Sequence, residues 1–317
     1  MRVPRRLLAV PLLTVLAVSG CASGAPEETE AAAPSAGFPV TVTDARGEVT
    51  LDEAPQRIVS LSPSGTEILF AVGAGDQVVA ADEYSDYPAE APTTDLSGFT
   101  PSVEAISDHD PDLVVLARDA EDTATQLDEL HIPVLLLPAA EDLDDTYDQM
   151  RLLGSATGHA DEGAAAAEEV QGAIDEIVSD TRDQLGEADT SYYHELDAGL
   201  YSVTSDTFVG QVYSLFGLRN IADEAADTAG GYPQLSAEFV VEQDPDLIFL
   251  SYPGGDAAVA DLADRPAFDT IAAVENGDVV ALDPDTASRW GPRVVDFTQD
   301  VADALLAAEG RGDEDAA

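Results

Sequence analysis

The sequence predicts an α/β protein of two lobes, each with a mostly parallel central sheet, joined by one long backbone helix. Three observations predict it. A fifteen-residue stretch occurs twice, as SVEAISDHDPDLVVL from Ser102 to Leu116 and as SAEFVVEQDPDLIFL from Ser236 to Leu250, 134 residues apart and identical at seven positions. Apolar runs of strand length alternate with helical patterns on both sides of the chain's middle. Between the two copies, Ala160 to Leu185 lacks Pro and carries Val170, Ile174 and Ile177–Val178 at helical spacing. At 1.5 Å per residue that is a rod of ~40 Å. One repeat per half fits two similar lobes better than a solenoid array.

In chain order, the N-terminus reads as an export signal. Arg2, Arg5 and Arg6 precede an apolar stretch of 12 residues, Leu7 to Val18. A spanning helix needs ~20. Val18-Ser19-Gly20-Cys21 resembles a bacterial lipobox, which makes Cys21 the expected lipidation site and residues 1–20 the removed signal peptide. Cys21 is the only Cys, so the mature fold has no internal disulfide and no thiolate metal site. Residues 21–37, rich in Ala, Glu, Pro and Ser, read as a disordered tether.

The N-terminal lobe is expected over 38–156. VTVTDARGEVTL suggests a hairpin turning at Arg46-Gly47. RIVSL (57–61) is the first buried strand, and Ser64 with Glu67 has capping-box spacing ahead of a helix stopped by Gly73. Further strands are expected at Val78–Ala80, Leu113–Leu116 and Val134–Leu137. In each repeat copy, Ser is the N-cap, Glu104 or Glu238 sits in the dipole-favoured first turn, Asp-Pro-Asp ends the helix, and DLVVL or DLIFL forms a strand covered on both faces. The linking helix is set at 157–188 and the C-terminal lobe at 189–308. That lobe has strands at SYYHEL (191–196), DLIFL and DVVAL (278–282), a helix from Phe208 to Phe216, and a closing helix from Val294 to Ala308. Residues 309–317 read as a polar, disordered tail.

The 63 acidic residues face 13 basic ones, all Arg, for a net charge of −50. Nucleic acid is thereby excluded as a partner, because phosphate binding needs a basic face. The bulk charge fits a solvated surface suited to high salt. His109, His131, His159 and His194 are scattered, so no metal site is expected. No nucleophile elbow, phosphate-cradling loop or metal motif appears, and no catalytic residue is assigned; a surface lipoprotein hydrolase stands as the lowest alternative.

These features together resemble the class III substrate-binding proteins of ABC importers, which have a helical backbone between two lobes and bind cobalamin, ferric siderophores or haem. EYSDYPAEA (83–91) is similar to the Tyr-Ser-Asp-Tyr-Pro stretch of vitamin B12-binding members, and SRWGPRVVD (288–296) resembles their late Arg-x-x-Pro-Arg segment. The resemblance implies a ligand site of Tyr84, Asp86, Phe99, Tyr201, Tyr232, Asp285, Arg289 and Trp290. In that pattern Tyr84 lies against the corrin ring, Phe99 and Tyr232 stand where members carry Trp, Tyr201 where they carry Phe, and Trp290 where they carry a small residue. Asp285 and Arg289 approach the ligand's polar edge. Glu104 and Glu238 would dock onto Arg residues of the permease. The implied protein is a monomeric lipoprotein on the outer face of the cytoplasmic membrane. It captures a corrinoid and passes it to a permease driven by a cytoplasmic ATPase, with a ferric siderophore or haem as the alternative cargo. It is no enzyme and has no cofactor of its own. Small lobe closure is expected, because a helix rather than two strands links the halves.

Overall fold

The computed structural model describes residues 37–185 and 190–315, with side chains described through Arg311. The expected signal 1–20, Cys21, the tether through Ala36 and residues 186–188 of the linking segment lie outside them.

A hairpin, β1 (Val40–Asp44) and β2 (Gly47–Leu51), opens the fold, with Val40 opposite Leu51. Its turn is Ala45-Arg46, one residue earlier than expected. Asp44 Oδ1 accepts the N–H groups of both Arg46 and Gly47, at 2.8 and 3.0 Å, and pulls the turn back.

The first lobe then reads β3 (Ile58–Leu61), α1 (Pro63–Ala71), β4 (Val78–Ala81), α2 (Val103–Ser107), β5 (Leu113–Leu116), α3 (Thr123–Glu129) and β6 (Val134–Leu136). Its sheet is wholly parallel in the order β4-β3-β5-β6. Helices α4 (Leu143–Thr157) and α5 (Ala160–Leu185) follow. The second lobe reads β7 (Ser191–Glu195), α6 (Phe208–Ser214), β8 (Arg219–Asn220), α7 (Ala237–Gln243), β9 (Leu247–Leu250), α8 (Asp256–Ala263), α9 (Ala272–Asn276), β10 (Val279–Ala281), α10 (Pro284–Ser288) and α11 (Val294–Asp315). Its parallel sheet has the order β10-β9-β7-β8. Read from the other edge, this is the topology of the first sheet, with β7 in the place of β3 and β9 in the place of β5.

The repeated stretch explains that correspondence. Ser102 Oγ caps α2 through the Ala105 N–H, and Ser236 Oγ caps α7 through the Phe239 N–H. Asp110 and Asp244 both stand at φ +46°, the left-handed turn that Asp tolerates better than most residues. After the Pro, Asp112 accepts the N–H groups of Gln56 and Arg57, each at 2.8 Å. Asp246 accepts the Ser191 N–H at 2.8 Å and its hydroxyl at 2.6 Å. In each lobe, therefore, the second Asp of Asp-Pro-Asp ties the repeat strand to the start of its central neighbour.

Helix α5 is one unbroken rod of 26 residues. It packs closely on α4, with no room for a side chain between them: a Cβ on Gly154 would lie 2.7 Å from the Gly163 Cα. The main core runs through both lobes without a break. Ile68 and Leu69 of α1, Met150 and Leu153 of α4, Val170 and Ile174 of α5, Tyr213 of α6, Phe249 of β9, and Phe297 and Val301 of α11 belong to it. Shared apolar packing of this kind braces the lobes in addition to the rod. Helix α11 continues to Asp315, so residues 309–315 are helical and not the expected tail. They contain no Pro, and Arg311 pairs with Asp278, which ties this last stretch to the sheet.

Candidate functional site

Pro63 decides how α1 begins. Its ring suits the first helical position, which makes Ser62 the N-cap: Ser62 Oγ accepts the Gly65 N–H at 3.0 Å. The expected Ser64–Glu67 capping box does not form. Ser64 Oγ instead accepts the Trp290 N–H at 3.2 Å. Glu67, 2% exposed, turns into the seam between the lobes, where its Oε1 accepts Arg293 Nη2 at 2.7 Å and Arg289 Nη1 at 3.1 Å.

Arg289 is equally enclosed. It also reaches Asp86 at 3.1 Å, Asp285 at 2.9 Å and the Tyr84 carbonyl at 2.8 Å. Arg293 lies over the Tyr87 ring, 4.4 Å from its centroid. Burial pulls the Arg293 guanidinium down, but the Glu67 hydrogen bond and charge outweigh it and leave the group above its ordinary value. Two arginines from the α10–α11 junction thus clamp a carboxylate of α1 and the loop after β4. That loop's Tyr84-Ser85-Asp86-Tyr87 run supplies both an aromatic face and an anion.

Beside this clamp lies a cavity of about 460 Å³. Leu61 ends β3, Asp82 follows β4, and Ala117 and Arg118 follow β5, so its first-lobe wall is built at the carboxyl ends of parallel strands, where open α/β sheets hold their ligands. Tyr84 and Phe99 meet edge-to-face with centroids 5.7 Å apart. The Arg118 guanidinium stands 4.6 Å from the Phe99 centroid. Asp285, Arg289 and Trp290 close the second-lobe side. Burial pushes the Asp82 carboxyl up; hydrogen bonds from Ser85 and the Tyr84 and Ser85 backbone, and the Arg289 charge, work against it.

Of the residues the sequence assigned to ligand, Tyr84, Phe99, Asp285, Arg289 and Trp290 share this lining. Asp86 stands one step behind it, on Arg289. Tyr201 and Tyr232 are exposed rings of the second lobe, at 42% and 51%, and are not part of the lining. Sequence reasoning missed Arg118, Glu67 and Arg293. Arg118 had one available signal: the two repeat copies diverge directly after their strands, into Ala117-Arg118 and Ser251-Tyr252. Glu104 and Glu238 occupy matching places, exposed in the first turns of α2 and α7.

His194 is fully buried and bonds to the Tyr213 hydroxyl and Ser251 Oγ, each at 2.8 Å; burial drops its pKa to about 3. It is a neutral core group. Among the described residues, no cluster of three or more His, Cys, Asp or Glu is placed to hold a metal ion, and no helix is long and apolar enough to cross a membrane.

Two topologically equivalent lobes, a rigid rod and a ring-lined hollow at their junction define a solute-binding protein of the kind that serves importers. The chain belongs to the periplasmic binding protein family, whose model matches residues 58–286. Its architecture is that of the class III substrate-binding proteins of ABC importers. A cobalamin-binding protein of Halobacterium salinarum is 32% identical over 303 residues, covering 92% of this chain and 81% of the relative. The crystal structure of a periplasmic vitamin B12-binding protein of Vibrio cholerae superimposes with TM-score 0.67 at 28% identity, covering 80% of this chain and 98% of the other. A periplasmic haem-binding protein of Roseiflexus, in apo form, gives 0.70 at 25% identity, covering 80% and 98%.

Proposed function

We propose that this substrate-binding protein captures cobalamin or a related corrinoid in the cavity between its lobes and delivers it to an ABC permease. The observation that carries the proposal is the cavity itself: Tyr84, Phe99 and Trp290 offer ring faces, and charged groups stand at its edge. A corrinoid is a broad flat ring with amide arms, and aromatic walls with a few fixed polar groups suit such a solute. The relatives named for cobalamin and vitamin B12 support the same cargo. Calorimetric titration with cyanocobalamin tests it. Binding tighter than ~10 μM, about −7 kcal/mol, is expected, and none at that level defeats the corrinoid reading.

Haem is the second reading, favoured by the likeness to the haem-binding structure, and a haemin titration in parallel separates the two. Anchoring through a lipidated Cys21 at the outer face of the membrane and action as a monomer belong to the same proposal. So does permease docking through Glu104 and Glu238: two exposed acids at equivalent places on two lobes match a two-fold partner and steer its approach. Glu104→Arg with Glu238→Arg should abolish uptake while leaving cyanocobalamin binding unchanged. Retained uptake would remove both residues from docking.

A further inference from the structure

The two guanidinium groups of the cavity differ in what they are free to do. Arg289 has its terminal nitrogens engaged by Glu67, Asp86, Asp285 and the Tyr84 carbonyl, and its side chain is 7% exposed. Arg118 is exposed, stands over the Phe99 ring, and among the described residues makes no ion pair and no hydrogen bond. Trp290 lines the same cavity, and its indole Nε1 is buried with no hydrogen-bond partner among the described residues. A buried donor without an acceptor is destabilising, and such groups are rare in folded proteins. Of the two donors only the Arg118 guanidinium is open to the cavity, because the Trp290 Nε1 is closed off from solvent. The cavity's acidic groups near Arg289 are already taken up by the clamp.

We infer that Arg118 receives an oxygen acceptor on the rim of the bound ligand. Arg118 grips a carbonyl or carboxylate oxygen while lying flat against Phe99. Arg289, engaged by the clamp, holds the seam. The inference rests on the reading that the cavity takes a flat ring-shaped cargo, and it names the chemistry that cargo must show: oxygen acceptors around the ring. A corrinoid supplies them as carboxamides, a porphyrin as carboxylates.

The test is calorimetric titration of the full chain with cyanocobalamin and with haemin, in wild type, Arg118→Met and Arg118→Lys. Arg118→Met keeps an apolar stem over Phe99 and removes every donor. It should weaken the bound ligand about 10-fold or more, the range of a hydrogen bond to a charged group, and Arg118→Lys should recover part of that loss. Haemin binding, if present, should depend on Arg118 more steeply than cyanocobalamin binding, because its acceptors are charged. Ligand-free Arg118→Met should melt with the wild type. Wild-type binding with unchanged affinity in Arg118→Met overturns the role of Arg118 and leaves the cargo reading intact. A wild type that binds neither compound overturns the cargo reading and this inference with it.

Discussion

Replacing Glu67 by Gln tests whether the seam is held by charge. Gln has nearly the volume of Glu and keeps an acceptor oxygen, so packing is preserved while the negative charge is lost. Two hydrogen bonds from cationic donors converge on Glu67 Oε1, from Arg293 at 2.7 Å and Arg289 at 3.1 Å, and the carboxylate is 1% exposed. Such bonds contribute about 1.5–3 kcal/mol each, and roughly half of that survives with a neutral acceptor. Arg289 retains Asp86 and Asp285, whereas Arg293, 14% exposed, keeps no paired carboxylate among the described residues. The expected loss is therefore about 2–3 kcal/mol, below the 3–5 kcal/mol seen on orphaning a fully buried charge. For a protein of this size that lowers the thermal midpoint by about 3–5 °C. Urea unfolding followed by Trp290 fluorescence, with calorimetric melting alongside, measures it. In the double variant Glu67→Gln with Arg293→Gln the loss should be smaller than the sum of the single losses, because no orphan charge remains. A single variant that melts with the wild type would show that the seam is held by apolar packing and that the clamp is incidental.

Three further outcomes follow from the same structure. His194 titrates near 6.5 in the unfolded chain but only near 3 when folded, so the folded state refuses a proton that the unfolded state accepts; its stabilisation is present above pH 6.5 and lost as pH falls toward about 3, up to about 5 kcal/mol at 1.36 kcal/mol per unit. Stability measured from pH 7 to 5 should fall more steeply in wild type than in His194→Gln, and parallel curves would refute it. Gly154→Ala should cost about 1–3 kcal/mol in urea unfolding, because its Cβ meets the α5 backbone at Gly163 and not a movable side chain; a neutral result would mean that α4 and α5 can separate freely. With a net charge of −50, raising salt from about 0.1 M to about 1 M shortens the screening length from ~10 to ~3 Å and should raise the melting midpoint, whereas a falling midpoint would show that attractive surface pairs outweigh repulsion.

Periodicity and local chemistry carry most of the fold. The repeat's Ser caps, the Asp-Pro-Asp turns, the strands DLVVL and DLIFL and the Ala160–Leu185 helix are set by residues a few positions apart, and the structure places them as their sequence patterns imply. Besides the hairpin turn that Asp44 pulls back by one residue, two local readings failed for local reasons. Pro63 moved the α1 cap back to Ser62, and helix-compatible residues carried α11 past Ala308. Within the candidate site, Tyr84 and the Asp285–Arg289–Trp290 segment are legible because each lies in a compact motif.

What the chain alone determined was therefore what nearest neighbours dictate, two lobes of one topology and the rod between them; the aromatic loop near Tyr84 was legible through its resemblance to the family's motif. Only the tertiary structure decided that Glu67 leaves its helix cap for Arg289 and Arg293, that Arg118 stacks on Phe99 without a counter-charge among the described residues, and that Tyr201 and Tyr232 stay outside the cavity. The partners of Glu67 lie 222 and 226 residues away. Spacing along a chain fixes which face of a helix or strand a side chain takes, but a charge pairs with whatever the packing of distant elements brings within reach.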